Sequence, residues 1–237
     1  MKGRGLAATP FVFLWSDKKL HEKIRDVGVN MTTNVRCECG KFQAEVSNLE
    51  SATPGRAICY CDDCQSFLHH LGRAELLDAN GGSEIVPLYP SSIKFKAGRE
   101  HLRCTQLSPK GLYRFSTKCC NTPVANFAAN LPWVGMLACM FKTEDAGILD
   151  RSLGPVKSKI MAKFAYGSLP PDASMKLGLR DAVFVVPYLL KGFVFGKRMP
   201  SPFLEADGKT PIVTPEVISL EARKEIRKKI SDRLGKQ

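Results

Sequence analysis

The stretch 58-ICYCDDCQSFLHHLG-72 contains three cysteines within six positions, followed by a segment that is predicted to be helical. Cys59, Cys61 and Cys64 form a C-x-C-x-x-C motif. On an extended segment, side chains two positions apart lie on one face, and in C-x-x-C the chain turns so that both sulfurs can converge. Three thiolates from one loop can bind zinc and leave its fourth position open, which is typical of catalytic zinc sites. We therefore predict that these three cysteines bind zinc and act in catalysis.

A redox-active cysteine pair and plain burial are two other interpretations of this motif. Asp62 and Asp63 lie between the thiols, and two carboxylates suit neither a dry core nor a thioredoxin-like pair. A disulfide framework fits poorly, because the chain has 237 residues and nine cysteines, an odd number. The motif favours a metal site.

Six more cysteines lie outside this motif. Cys104 and Cys139 each stand alone, and we interpret both as buried free cysteines, since a lone thiol behaves as a small hydrophobe. The other four form two close pairs, Cys37 and Cys39 in C-x-C-G, and Cys119 and Cys120 in RFSTKCCNTPV. If the first pair is joined by cysteines from a distant strand, that site would be closed and structural.

Alternation of apolar and polar residues indicates half-buried strands over much of the chain. In 41-KFQAEVSN-48, every second residue is apolar. Similar short segments, separated by Gly, Pro, Ser and Asn, continue to about residue 142. We predict a mainly β fold, with an antiparallel zinc-binding β domain over residues 34–142 that carries one short helix after Cys64.

The remaining parts of the chain have a different pattern. Residues 143–237 are predicted to form a helical C-terminal extension. Its helices are expected over 173–198, with a kink or break at Pro187, and over 219–235, where isoleucines and leucine form one apolar stripe. Residues 1–33 are predicted to be an N-terminal accessory segment with a short helix.

The chain is strongly basic, with a net charge of +12 and a pI of about 9.3. It therefore attracts anions. Residues 221–237 alone carry seven basic and three acidic side chains. A charge run of this kind is usually a solvated helix face, and we do not expect nucleic acid to be the partner on charge alone. The oligomeric state cannot be predicted from the sequence.

No segment reaches the roughly 18 uninterrupted apolar residues of a membrane span. The most apolar segment, 182–196, is interrupted by Pro187 and Lys191. We interpret it as a helix that covers the sheet, with peripheral membrane association as the alternative. Because the cysteines are interpreted as free or metal-bound, a reduced, cytoplasmic location is predicted.

The cysteine motifs occur in a recognisable combination. The order C-x-C-G, then C-x-C-x-x-C-Q, then RFSTKCCNTPV resembles the family of glutathione-dependent formaldehyde-activating enzymes and centromere protein V. The similarity covers roughly residues 34–142. It is greatest to a branch of that family in which CYCDDCQ, SPKG and CC-x-TP recur.

This resemblance implies a small Mss4-like β fold that holds two zinc ions. The first C-x-C and a late C-x-x-C-G would bind a structural zinc, and the C-x-C-x-x-C would bind a second, catalytic-type zinc. The family activity is the making or breaking of a carbon–sulfur bond, in which the thiol of glutathione adds to formaldehyde to give S-hydroxymethylglutathione. The expected partner is therefore a small thiol or thiol adduct such as glutathione.

The late motif departs from the family pattern, because one expected cysteine is replaced by Ser116 or Thr117, depending on the alignment. The adjacent Cys119 and Cys120 are the candidate substitutes, and Cys104 is the fallback. Adjacent residues of a strand point to opposite faces, so that both can bind one ion only if the chain bends there.

The open zinc site suggests a reaction. We hypothesise that a substrate thiol takes the open position, loses its proton and attacks an aldehyde carbon, or leaves in the reverse reaction. Arg73, Lys110 and Arg114 are candidates for holding the carboxylates of a glutathione-like partner, but for each one alone we favour plain surface charge.

Four polar side chains of the same stretch complete the set of candidates. His69 and His70 face different directions on the predicted helix, so at most one could carry protons at the metal, and we favour packed or exposed histidines without such a role. Asp62 and Asp63 are interpreted as the N-cap of that helix, with hydrogen bonding to the metal ligands as the alternative.

The alternative to a carbon–sulfur lyase is a non-catalytic, zinc-stabilised binding module. In that case the basic C-terminal helix would contact nucleic acid or an acidic partner.

Overall fold

The computed structural model describes residues 32–141, 147–169 and 171–234. The predicted N-terminal accessory segment and its short helix lie almost entirely outside the described residues. In the described part the fold is mainly β, as the sequence predicts, and it consists of two sheets and five α-helices.

The smaller sheet has three antiparallel strands in the order β1-β2-β5. These are β1 (Thr32–Arg36), β2 (Gln43–Ser47) and β5 (Ile93–Ala97). In β2 the predicted alternation is present, because Ala44 and Val46 are buried and their neighbours are more exposed.

The larger sheet has eight strands in the order β10-β3-β4-β9-β8-β7-β6-β11. The six inner strands are antiparallel to one another, and the two edge strands β10 and β11 pair in parallel with their neighbours. The strands are β3 (Ala57–Cys59), β4 (Ser83–Leu88), β6 (Leu102–Gln106), β7 (Tyr113–Thr117), β8 (Pro123–Phe127), β9 (Val134–Leu137), β10 (Ser158–Ile160) and β11 (Pro215–Val217).

Within the described ranges, five α-helices accompany the sheets. They are α1 (Leu49–Ala52), α2 (Asp62–His70), α3 (Ile148–Leu153), α4 (Leu179–Val194) and α5 (Leu220–Leu234). Of the predicted kink or break at Pro187, the break is wrong, because α4 continues through this residue. Buried contacts of Asp181 before Pro187 and of Tyr188 and Gly192 after it hold both halves in place, and this packing outweighs the lost backbone hydrogen bond.

The main core includes residues from both sheets and three buried residues from beyond residue 142, namely Leu149, Phe203 and Leu204. Phe203 is fully buried, and its ring lies 5.0 Å from Phe95, 5.1 Å from Phe115 and 5.4 Å from Phe127, centroid to centroid. The domain boundaries predicted at residues 33 and 142 stay predictions. The structure adds that β10, β11 and Phe203, which follow residue 142, pair or pack with the preceding β structure.

Candidate metal centres

Four cysteines lie together where the two sheets meet. Cys37 and Cys39 belong to the connection between β1 and β2, and Cys119 and Cys120 to the turn between β7 and β8. All four Sγ atoms lie within 4.8 Å of one another, and four of the pairs are separated by 3.6, 3.9, 3.3 and 3.8 Å. Zinc–sulfur bonds of about 2.3 Å in a tetrahedron place the sulfurs about 3.8 Å apart. The quartet, as we call these four residues, therefore fits one tetrahedral ion.

A sharp bend lets the two adjacent cysteines share this site. Asn121 has a φ of 54°, in the left-handed region, and its N–H donates to the carbonyl of Thr117 at 3.1 Å. The N–H of Thr117 in turn donates to the carbonyl of Thr122 at 3.0 Å. This turn supplies the bend that two neighbouring ligands need, and asparagine tolerates the backbone conformation better than most residues.

Hydrogen bonds from the surrounding chain reach the quartet. The backbone N–H of Phe42 donates to Cys37 Sγ at 3.3 Å, and the hydroxyls of Thr117 and Thr122 contact Cys120 Sγ at 3.3 and 3.1 Å. Burial opposes ionisation of Cys120, but these hydroxyls and further hydrogen bonds lower its pKa to about 5. The site therefore favours at least one thiolate, the form that binds metal.

Neither lone cysteine joins a cluster. Cys104, the fallback ligand of the sequence analysis, lies buried in β6, where burial raises its pKa to about 12. Cys139 is half-buried, and its Sγ contacts the carbonyl oxygen of Pro123 at 3.5 Å.

The other three cysteines form a second group, the trio. Cys59 ends β3, Cys61 precedes α2 and Cys64 lies in its first turn. Their Sγ atoms lie within 4.8 Å of one another, with Cys59 and Cys64 buried and Cys61 half-buried. Gln65 holds the loop from inside, because its side-chain amide donates to the carbonyls of Tyr60 at 2.7 Å and Phe164 at 2.9 Å.

The interpretation of Asp62 and Asp63 as N-caps is wrong. The N-cap of α2 is Cys61, whose Sγ accepts a hydrogen bond from the N–H of Cys64 at 3.4 Å. The two carboxylates follow within the first turn and bind arginines of α5: Asp62 pairs with Arg227, and Asp63 with Arg223. The sequence gives little sign of these partners, because they lie about 160 positions further along the chain.

A buried arginine lies beside the trio. Arg114 is only 2% exposed, and its guanidinium lies 3.9 Å from Cys64 Sγ, 3.9 Å from the carboxylate of Asp63 and 5.5 Å from the ring centre of Phe67. Hydrogen bonds from Cys59 and Cys61, together with Arg114, hold the pKa of Cys64 well below its ordinary value. One negative charge is therefore stabilised within the trio even without a metal ion.

The other predicted polar residues lie elsewhere. Arg73 pairs with Glu38 at 2.9 Å and Glu75 at 2.5 Å, and Lys110 is exposed. His69 and His70 belong to neither cysteine cluster, and burial together with Arg103 lowers the pKa of His70. Arg73 also donates to the backbone carbonyl of Cys120 at 3.1 Å, which places it beside the quartet and not beside the trio.

A cavity of about 160 Å³ lies between residues of the larger sheet and of α2. Ser83 lines it, and Ser83 is the direct strand partner of Cys59, so the two side chains share a face. Leu68, which follows the trio on α2, also lines the cavity. Ser83 and Leu68 are neighbours of the trio, but none of its three cysteines lines the cavity.

The fold and these clusters define a mainly β protein with two cysteine groups, each able to hold a metal ion. A family model matches residues 29–215, and the chain therefore belongs to that family, which is described as a family of unknown function, DUF6151. Both cysteine clusters lie within the matched residues, and α5 lies beyond them. No curated protein matches the chain.

Among solved structures, the chain is similar to a protein of Rhodobacter sphaeroides known from a crystal structure. The two are 17% identical with a TM-score of 0.35, and the match covers 52% of this chain and 97% of the other. Among the described residues, no helix is long and apolar enough to cross a membrane.

Proposed function

We propose that this protein binds two zinc ions and makes or breaks carbon–sulfur bonds in small thiol adducts. The quartet would hold a structural zinc and the trio a zinc with an exchangeable position. The substrate class would be a thiol such as glutathione together with an aldehyde.

The difference in ligand number carries this proposal. The quartet offers four sulfurs, whereas among the described residues no further cysteine, histidine or carboxylate joins the trio. Four thiolates fill the coordination of zinc, and three leave a position for a substrate. Sulfur ligands favour zinc over magnesium or calcium, which prefer oxygen.

Two further observations support the choice of reaction. The order of the cysteine motifs resembles that of formaldehyde-activating enzymes, whose chemistry is the addition of a thiol to an aldehyde. The cavity lined by Ser83 and Leu68, two neighbours of the trio, has a volume of about 160 Å³, which is smaller than the 300–1,000 Å³ typical of ligand sites. It suits a small thiol adduct, or the reactive end of a larger one.

The residues around the trio have separate roles in this proposal. A zinc ion bound there would accept a thiol and lower its pKa. Arg114 offsets the negative charge of the sulfurs from within the core, and Gln65 fixes the loop that carries them. In the reaction, the substrate sulfur forms a bond to the carbonyl carbon, the carbonyl π electrons move to oxygen, and the thiol proton ends on that oxygen.

Zinc content and adduct formation test this proposal together. The reduced protein should hold two zinc ions per chain, and Cys59→Ser should hold one while remaining folded. The intact protein should accelerate exchange between formaldehyde, glutathione and their adduct above the spontaneous rate, as measured by NMR exchange spectroscopy. Cys59→Ser should abolish the acceleration, and Cys104→Ala, which changes a cysteine outside both clusters and outside the cavity, should retain it.

Two outcomes would contradict the proposal. A single zinc per chain in the intact protein would remove the open site. Normal zinc content without acceleration, for glutathione, cysteine and cysteamine alike, would leave a metal-binding protein without the proposed activity.

The arrangement of α5 favours this enzyme over an adaptor that uses its basic helix. Arg223 and Arg227 bind the carboxylates next to the trio, so two of the cations of that helix are already paired within the fold. An adaptor would need them free for an acidic partner.

A further inference from the structure

The outward side of α4 is apolar along its whole length. Leu179 is 89% exposed, Val183 68%, Leu190 59% and Val194 76%. Helices that pack on a globular domain normally turn polar residues outward. The exposed side of α4 is apolar instead. The sequence-based expectation that this helix covers the sheet accounts only for its buried side.

Helical geometry separates the two sides of α4. Each residue advances by about 100°, so Val183 and Leu190 lie on one line of the helix and Tyr188 and Gly192 lie about half a turn away. The latter two are buried, and the former two are exposed. We call the exposed apolar set the apolar ridge: it comprises Leu179, Val183, Val186, Leu190, Phe193 and Val194.

The buried side fixes the ridge in its outward orientation. The ring of Tyr188 stacks on Tyr89 with centroids 4.3 Å apart, and the Tyr89 hydroxyl donates to the Tyr188 carbonyl at 2.9 Å. Gly192 lies so close to Pro132 and Tyr89 that an added Cβ would meet them at 2.8 Å. The helix therefore cannot rotate to bury the ridge without losing this packing.

The apolar surface extends beyond the helix. Met175 and Leu177 precede α4 and are 57% and 54% exposed, and Phe195 follows it at 64%. Exposed apolar patches of this continuity mark surfaces that bind a partner or a membrane.

Cations accompany the ridge. Between residues 163 and 197 the chain has five basic residues and two acidic ones. Asp172 pairs with Lys159 at 2.9 Å, and Asp181 is buried, where it accepts hydrogen bonds from the N–H of Gly178 and the hydroxyl of Ser158. Asp172 is thus paired with a cation and Asp181 is hydrogen-bonded inside the fold, whereas the basic residues are Lys163, Lys176, Arg180, Lys191 and Lys197.

We propose that the apolar ridge binds the surface of an anionic lipid bilayer, with α4 lying in the plane of the membrane. An exposed apolar helix face flanked by cations is the pattern of interfacial helices. Sixteen residues of helix measure about 24 Å, which is less than the hydrocarbon core of a bilayer, so α4 lies on the membrane and does not cross it. The cations match anionic headgroups, which a purely apolar protein partner would not require.

Vesicle flotation tests this proposal with the full-length protein. Vesicles of phosphatidylcholine with 30% phosphatidylserine should bind the protein, and vesicles of phosphatidylcholine alone should bind it more weakly. The double variant Val183→Asn/Leu190→Asn should lose at least about tenfold in binding, because it removes apolar area from the centre of the ridge. The matched control Val217→Asn/Leu220→Asn changes two exposed apolar residues outside the ridge and should bind like the parent.

A second pair of variants distinguishes electrostatic attraction to the headgroups from insertion of apolar side chains. Lys176→Gln and Lys191→Gln should each lower binding to the anionic vesicles about fivefold, with little effect on neutral vesicles. Circular dichroism and zinc content should match the parent for all variants, because every substituted side chain is exposed.

Three outcomes would overturn the inference. The first is that the protein does not float with the anionic vesicles. The second is that Val183→Asn/Leu190→Asn floats as well as the control. The third is that the protein, without floating, forms dimers in sedimentation velocity that the ridge variant abolishes, which would assign the ridge to a second copy of the chain.

Discussion

The two cysteine clusters differ in the sequence separation of the residues that form them. The trio comes from one loop of six positions, whereas the quartet joins the β1–β2 connection of the smaller sheet to the β7–β8 turn of the larger one. Cys39 and Cys119 are 80 residues apart. A metal ion in the quartet would therefore cross-link two sheets, and one in the trio would order only its own loop.

The sharpest test of this comparison is Cys37→Ser. Cys37 is fully buried within the quartet, so its loss should release the ion that joins the sheets and lower the free energy of unfolding by at least about 4 kcal/mol. Urea unfolding with zinc analysis measures this effect. Cys139→Ser serves as the control and should change neither quantity by much, whereas an unchanged midpoint for Cys37→Ser would show that the quartet does not cross-link the sheets.

Arg114→Met addresses the trio alone. The variant removes a buried cation next to Cys64 and Asp63, and we expect a loss of about 3 kcal/mol in stability. Zinc at the trio should dissociate about 10–100-fold more readily, as is typical when a residue that contacts metal ligands is lost. Competition with a chromogenic chelator measures both sites at once. The quartet is the internal control, and equal weakening of the two sites would contradict a local effect.

Arg227→Gln should have the smallest effect. The Arg227–Asp62 pair is partly exposed, with 48% and 34% of the two side chains accessible, and such pairs contribute about 0.5 kcal/mol. A double-mutant cycle with Asp62→Asn, followed by urea unfolding, isolates this contribution. Loss of zinc from the trio in Arg227→Gln would mean that the trio depends on α5 and is less local than its sequence suggests.

Local patterns in the sequence predicted much of the fold. Strand β2 was predictable because one of its faces is buried, which produces alternation. Strand β8 shows no alternation, since all five of its residues are buried, and such a run cannot be assigned by period alone. The helix continuing through Pro187 depends on tertiary packing by Tyr188 and Gly192, which the local pattern does not contain.

In the candidate sites, too, some features follow from local sequence spacing and others depend on tertiary contacts. The trio was predictable from spacing, because all three cysteines lie in one loop. The joint placement of Cys119 and Cys120 depends on the left-handed conformation at Asn121, and the partners of Asp62 and Asp63 come from a helix far along the chain. Contacts between distant segments depend on the fold as a whole, and for that reason they could not be predicted from local sequence patterns.

The long separation within the quartet also has a consequence for biosynthesis. A chain emerging from the ribosome completes the trio once Cys64 has left the exit tunnel, but it must extend a further 56 residues, the difference between positions 120 and 64, before the quartet has all its thiols. During this interval Cys37 and Cys39 are the only quartet cysteines that have been synthesised, whereas the trio already has all three of its thiols. We therefore expect the nascent protein to acquire its first metal ion at the trio and its second only after β7 has been translated.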